Sequence, residues 1–501
     1  MSLPLEYEVT LPDGKKFNQP SGLFINNEFV KSKQGKTLES INPATGEVNG
    51  SVYAATEEDV DIAVKAARAA FPAWKKVTGV ERGDLLFKVA SFLERDRELL
   101  GSIEAWDSGK ARDSNAVYDI DEAISCCKYY AGWADKIQGK VIQNDPKKLA
   151  YTVHEPYGVC GQIIPWNYPI AMAAWKLFPA LAAGNVVVLK TSEITPLSLL
   201  VVVKYFKEAG FPAGVVNVLS GYGRDCGNAL ASHLGVDKIA FTGSTATGKM
   251  VQKAAASNMK AVTLECGGKS PLIIREDADL DQASKWAAVG IMYNQGQVCT
   301  STSRVYVHEK IYDEFLKIFA DHVKKEYKQG SMFDSDAVVG PQVSQRQFET
   351  ILNYIDIGKK EGARVVLGGE RNDSSDLSKG FFIKPTIFAD VQPEMRIVNE
   401  EIFGPVVSVG KFSTDDEVLK YANATQYGLG AAIFTKDITK AHQMASDIEA
   451  GMVWINSSND SDVHIPFGGV KLSGVGRELG EYGLSTYTQA KAIHVNLGSV
   501  L

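Results

Sequence analysis

Between residues 157 and 275, short apolar runs alternate with stretches of helical periodicity. The runs are Val159 to Ile164, Asn185 to Leu189, Val215 to Leu219, Lys238 to Phe241 and Leu272 to Ile274. Helical patterns fill the gaps, as in Leu197 to Glu208. Strand, helix and strand at this spacing predict right-handed βαβ units and a parallel sheet, which binds ligands at the carboxyl ends of its strands. A second strand–helix series starts near residue 275 and runs to about residue 480, interrupted by the polar loop Arg371 to Lys379.

Upstream, Leu23-Phe24-Ile25, Asn26-Asn27 and Phe29-Val30 read as a hairpin, and Asn42 to Gly46 as a turn. Thr56 with Asp59 three residues later marks a helix start, continued by Val60, Ala63, Ala67 and Ala70. Leu85, Leu86, Val89, Phe92 and Leu93 fall on one face of a further helix. Two stretches, Lys148 to His154 and Gln489 to Asn496, read as extended arms that pair either with another subunit or locally.

At 501 residues the chain is long enough for about three domains. It is 45% hydrophobic and 23% charged, with net charge −7 and no long run of one sign. A nucleic-acid partner would need a concentrated basic patch, which is missing. No apolar stretch reaches membrane-spanning length, so no membrane partner is expected. The N-terminal residues lack the marks of a signal peptide or presequence, which makes the cytoplasm the expected location. Six cysteines, none with zinc-ligand spacing, are too few for a disulfide framework and predict no metal site.

Three segments carry nucleotide signals. Gly221 to Gly227 resembles the dinucleotide glycine loop, one residue too long. Phe241 to Lys249 ends a strand and opens a helix with Gly243 and Ser244, where backbone N–H groups suit a pyrophosphate or form only an ordinary N-cap turn. Val187 to Glu193 ends a strand in Lys190, with Glu193 placed to accept ribose hydroxyls and repel a 2′-phosphate. An ordinary surface Lys–Glu pair is the plain alternative for the last.

Reaction chemistry concentrates elsewhere. Cys299 sits in the polar stretch Tyr293 to Arg304, a setting suited to a nucleophile. Asn167, between Pro165 and Pro169, offers an amide N–H₂ to an oxyanion, or else caps the next helix. In Thr263 to Pro271 a carboxylate, Glu265, precedes Cys266 and two glycines. Alternation along a strand would send Glu265 and Cys266 to opposite faces. Glu265 is therefore read as a base for water and Cys266 as packing.

These segments resemble the NAD(P)-dependent aldehyde dehydrogenase superfamily, specifically its hydrolytic, tetrameric, cytosolic-type branch. The similar blocks are Asn294 to Cys299, Leu264 to Pro271, Pro165 to Pro169, Phe241 to Thr245, Glu400 to Val406 and Pro466 to Gly474. The resemblance implies an α/β fold: a Rossmann-like cofactor domain (1–137 and 157–268), an α/β catalytic domain (269–470) and a β-arm for oligomerisation (138–156 and 484–501). It implies oxidation of a small to medium aliphatic or aromatic aldehyde, such as acetaldehyde, to its acid. Cys299 would be the nucleophile, Asn167 an oxyanion donor and Glu265 the base. Ile163, Ile164, Trp166, Lys190, Glu193, Gly223, Gly243, Ser244, Glu401 and Phe403 would bind NAD, with NADP possible. Tyr168, Met172, Trp175, Tyr293 and Phe467 would line a largely apolar substrate tunnel. A homotetramer or homodimer is implied.

Ala246-Thr247, Val298 and Thr191-Ser192 depart from the family's usual residues. Rival readings are a cofactor-free thiol hydrolase, a non-catalytic structural protein and a CoA-acylating dehydrogenase, which would dispense with Glu265.

Overall fold

In the computed structural model, which describes residues 3–501, the apolar runs build one half of the molecule. An eight-stranded sheet has the order Gly474–Val475, Ala261–Glu265, Lys238–Thr242, Val159–Ile163, Val186–Lys190, Val216–Leu219, Leu23–Ile25, Glu28–Val30. The five strands from Ala261–Glu265 to Val216–Leu219 are parallel. The four of them other than Ala261–Glu265 are buried at every residue, as a sheet covered on both faces requires. Val159–Ile163, first of the five in the chain, lies in the middle. The strand order reverses between it and Lys238–Thr242, and that is where such a sheet opens a crevice beyond its carboxyl ends.

The predicted hairpin forms at one edge of this sheet. Asn26 and Asn27 both take positive φ, 54° and 62°, the turn conformation that asparagine tolerates. Thr56 and Asp59 form the expected capping box on Glu57–Trp74. Two expectations change. Leu272 to Ile274 does not join the first sheet; the fifth parallel strand is Ala261–Glu265. The helix expected over Leu197 to Glu208 is two short ones, Leu197–Val202 and Lys204–Ala209.

The second half is a seven-stranded sheet. Its order is Arg364–Leu367, Thr386–Ala389, Val406–Phe412, Arg304–His308, Pro271–Ile274, Gly430–Phe434, Met452–Ile455. All neighbours are parallel except Arg364–Leu367 with Thr386–Ala389. The two arm-like stretches pair with each other. Thr488–Asn496 runs antiparallel to Lys148–Pro156, which also pairs with Val141–Asp145. No helix among the described residues is long and apolar enough to cross a membrane.

Arg304 ties the second sheet to what surrounds it. It is 1% exposed. Its guanidinium donates to the carbonyls of Lys269 (2.7 Å), Tyr421 (3.0 Å) and Ala422 (3.0 Å). Arg304→Ala strands two buried acceptors and one half-buried one and leaves a cavity, a loss of about 3 kcal/mol or more. Guanidinium unfolding should register it; a change below about 1 kcal/mol would speak against this role.

Candidate active site

Residues 266–270 carry the chain from the last parallel strand of the first sheet, Ala261–Glu265, to the strand Pro271–Ile274 of the second. This crossing is tightly confined. A β-carbon on Gly267 would run into the Glu401 carboxylate, and one on Gly268 would lie 2.5 Å from the carbonyl oxygen of Cys299. The Gly268 N–H donates to Glu401 Oε1 at 3.0 Å. The glycine pair therefore lets backbone, Glu401 and the Cys299 segment meet.

Cys299 follows the helix Leu280–Met292 and precedes the strand Arg304–His308. In between, Asn294, Gln295 and Gly296 all adopt positive φ, 47°, 55° and 72°. For the two non-glycine residues this conformation costs about 1–2 kcal/mol each. Side-chain amides hold the turn in place. Asn294 Nδ2 donates to the carbonyls of Asn167 (3.0 Å) and Gln297 (3.2 Å), and Gln295 Nε2 to that of Pro341 (3.2 Å). Gln297 Oε1 accepts from the Val343 N–H at 3.0 Å. Asn167 Nδ2 donates to the Gln297 carbonyl at 2.9 Å, which pins the amide and leaves its second N–H free. Asn167 does not cap the following helix; the cap position of Pro169–Ala182 is Tyr168, without a side-chain bond.

One cavity of about 540 Å³ lies between the two sheets. Thirteen of the residues singled out in the sequence line it: Trp166, Asn167, Tyr168, Met172, Trp175, Gly243, Ser244, Glu265, Tyr293, Cys299, Glu401, Phe403 and Phe467. Ile163, Ile164, Lys190, Glu193 and Gly223 stand outside this lining, at or beside the neighbouring strand ends. None of the seven histidines lines it. Cys266 does line it, together with Glu265, contrary to the expectation of opposite faces. The strand ends at Glu265, so its alternation does not extend to the next residue. Sequence reading also missed Asp119, Glu122, Arg346, Asn459 and Glu478. They come from distant segments with no local signature of chemistry.

The electrostatics separate the groups. Cys299 is the one cysteine that is not buried. The desolvating walls of the cleft push its thiol up, and the charges of Glu401 and Glu265 add to this, against the backbone N–H groups of Cys299 and Thr300. Glu265 is 3% exposed, and among the described residues neither carboxylate oxygen has a hydrogen-bond partner. Burial holds its carboxyl far above the usual range, reinforced by Glu478 and opposed by Lys176 and Arg477. Lys176, fully buried, pairs with Glu478 and donates to Thr242 Oγ1 at 2.6 Å. Burial raises Glu401 to about 7, with the Gly268 N–H and Lys269 opposing.

At the crevice of the first sheet, Ser244 caps the helix Thr245–Ala255, its side chain accepting from the Thr247 N–H. The first-turn N–H groups, beside Gly243, fit a pyrophosphate. Next to them Lys190 is 2% exposed and donates to Oε2 of the partly exposed Glu193 at 3.1 Å, so the ammonium of the pair is buried while the carboxylate reaches solvent. Burial raises the Glu193 carboxyl, but the Lys190 charge and local backbone N–H groups outweigh it and hold the acid ionised.

Comparisons with known proteins agree with one another. Residues 29–493 match the model of the aldehyde dehydrogenase family. An aldehyde dehydrogenase of Emericella nidulans is 54% identical, with 97% of each chain covered. Aldehyde dehydrogenase [NAD(P)+] 1 of Saccharomyces cerevisiae is 51% identical, with 98% of each covered. The NAD+ complex structure of aldehyde dehydrogenase from Bacillus cereus is 49% identical with a TM-score of 0.93, covering 95% of this chain and 96% of that one.

Glu401→Gln removes one of the charges that raise the Cys299 thiol. Carbamidomethylation of Cys299, followed by peptide mass spectrometry above pH about 7 where Glu401 is ionised, should therefore run several-fold faster in that variant. An equal or slower rate contradicts the assignment.

Proposed function

The chain belongs to the aldehyde dehydrogenase family, and from that premise we propose that it oxidises small to medium aliphatic or aromatic aldehydes, acetaldehyde among them, to carboxylic acids with NAD, and with NADP as a poorer alternative. The observation that carries the reading is the convergence of Cys299, Asn167 and Glu265 on one cavity that also reaches Gly243 and Ser244.

Cys299 Sγ attacks the aldehyde carbon. The oxyanion accepts from the second Asn167 N–H and from the Cys299 backbone N–H, each donor contributing about a hundredfold in rate. A bound dinucleotide would supply the hydride acceptor for the carbon attached to Cys299 Sγ. The protein supports its binding through the helix start at Ser244, through Ile163, Ile164, Trp166 and the Lys190–Glu193 pair with Gly223, and through Glu401 and Phe403. Collapse of the oxyanion leaves a thioester on Cys299. Glu265 takes a proton from water, the water oxygen attacks the thioester carbon, and the acid leaves as the thiolate is restored. The absence of any hydrogen-bond partner on the Glu265 oxygens suits a group that must receive a water. Because its carboxyl is raised, hydrolysis strengthens as pH rises through its titration and fails below it.

Glu193, held ionised at a strand end, favours a ribose hydroxyl over a 2′-phosphate. We read 1–137 with 157–268 as the cofactor domain, 269–470 as the catalytic domain, and 138–156 with 484–501 as an arm. Val141, Ile142, Leu497 and Val500 are exposed on that arm, which supports a homotetramer or homodimer.

Cys299→Ala should abolish NADH formation. Glu265→Gln should keep an initial burst of NADH while steady turnover falls about a hundredfold. Full steady activity in that variant, or an acyl-CoA as product in place of the acid, overturns the base assignment. A panel of aldehydes followed at the NADH absorbance with each dinucleotide measures the preferences.

A further inference from the structure

The cavity between the two sheets is acidic. Asp119, Glu122, Glu265, Glu401 and Glu478 line it, against a single cationic side chain, Arg346. A dinucleotide brings its pyrophosphate charges into these surroundings. From the first half of the molecule the start of the helix Thr245–Ala255 offers them N–H groups but no formal charge. Among the groups that line the cavity, only Arg346 supplies one.

Arg346 stands in the first turn of the helix Gln345–Lys360, in the second half. Phe348, Ile351 and Ile355 bury one face of that helix in a core with Phe388 and Val406 of the second sheet. Arg346, Gln347 and Thr350 share another face, which lines the cavity. Two contacts fix this turn. Ser344 caps it, its Oγ accepting from the Gln347 N–H at 3.3 Å. Gln347 Nε2 donates to the carbonyls of Ile402 (3.2 Å) and Phe403 (2.9 Å). Phe403 meets Trp166 of the first half edge to face, with ring centres 5.3 Å apart. Arg346 is thereby carried to the dinucleotide side of the cavity. Its side chain is exposed and, among the described residues, has no ion pair and no hydrogen bond. The acid one turn on, Glu349, already accepts from Gln345 Nε2 at 2.8 Å. An arginine that faces an acidic cavity yet pairs with none of its carboxyls keeps all its donors for a ligand.

We infer that Arg346 grips the dinucleotide's pyrophosphate from the second half while the helix start at Ser244 holds it from the first, so that the cofactor joins the two halves. The inference rests on the dinucleotide binding proposed above and adds a residue to it. A guanidinium presents paired N–H groups that match two phosphate oxygens, which suits it to this contact. Because Arg346 is exposed at the rim, dissolved salt screens the attraction.

The test is binding at equilibrium, without turnover. NADH fluorescence titrated into the protein gives a dissociation constant, and ADP-ribose, ADP and adenosine compete with it. Arg346→Gln should weaken NADH, ADP-ribose and ADP by about fivefold or more, and adenosine by less than about twofold. Raising sodium chloride from about 0.05 to about 0.5 M should weaken NADH more in the unaltered protein than in Arg346→Gln. Four results overturn the inference while NADH still binds the unaltered protein. They are unchanged affinities in the variant, a loss for ADP-ribose that spares ADP, an equal loss for adenosine, and the same salt dependence in both proteins. No NADH binding by the unaltered protein would instead overturn the proposed cofactor.

Discussion

The crossing between the two sheets leaves no room for a β-carbon at Gly267 or Gly268. Glu401 presses on the first and the carbonyl of Cys299 on the second. That contact fixes how closely the end of one sheet approaches the start of the other. Glu265 ends a strand of the first sheet and Cys299 precedes a strand of the second. Neither sheet alone can present both groups to one small molecule. The distance between sulfur and carboxylate is set by backbone packing, and the strained turn at Asn294 and Gln295 is the local cost of it. The amides of Asn167, Asn294, Gln295 and Gln297 offset that cost and orient the oxyanion donor at the same time.

The charge of the buried Glu265 carboxylate raises the affinity of the half-buried Cys299 thiol for a proton, so the two groups are electrostatically unfavourable neighbours. The proposed chemistry uses this in sequence. Cys299 must lose its proton to attack, and Glu265 must accept one later. The Lys176–Glu478 pair behind Glu265 supplies charges of both signs at close range, so that the base is buried without being left in a wholly apolar wall.

Much of this was legible in the sequence because it is local. The parallel strands appear as continuous apolar runs, the hairpin as Asn26-Asn27, the capping box as Thr56 and Asp59. Cys299, Asn167 and Glu265 stand in polar or glycine-rich interruptions of otherwise regular pattern, and the resemblance to a family gave each a role. What the sequence hid is long-range. Glu122 and Asp119 sit on an ordinary amphipathic helix and reach the cavity only through tertiary packing, as does Glu478. The separation of Glu265 from Cys266 by strand alternation failed because the strand stops at Glu265. Leu272 to Ile274 was grouped with the wrong sheet because periodicity marks a strand but not its neighbours.

The account turns on a bond between substrate carbon and Cys299 that survives until Glu265 delivers water. Mixing the Glu265→Gln variant with NAD and acetaldehyde, quenching in acid and mapping peptides by mass spectrometry tests it directly. An acetyl group on the peptide containing Cys299, in amount equal to the NADH formed, is the predicted result. NADH formed without any acyl group on that peptide, or with the group on another residue, would contradict it.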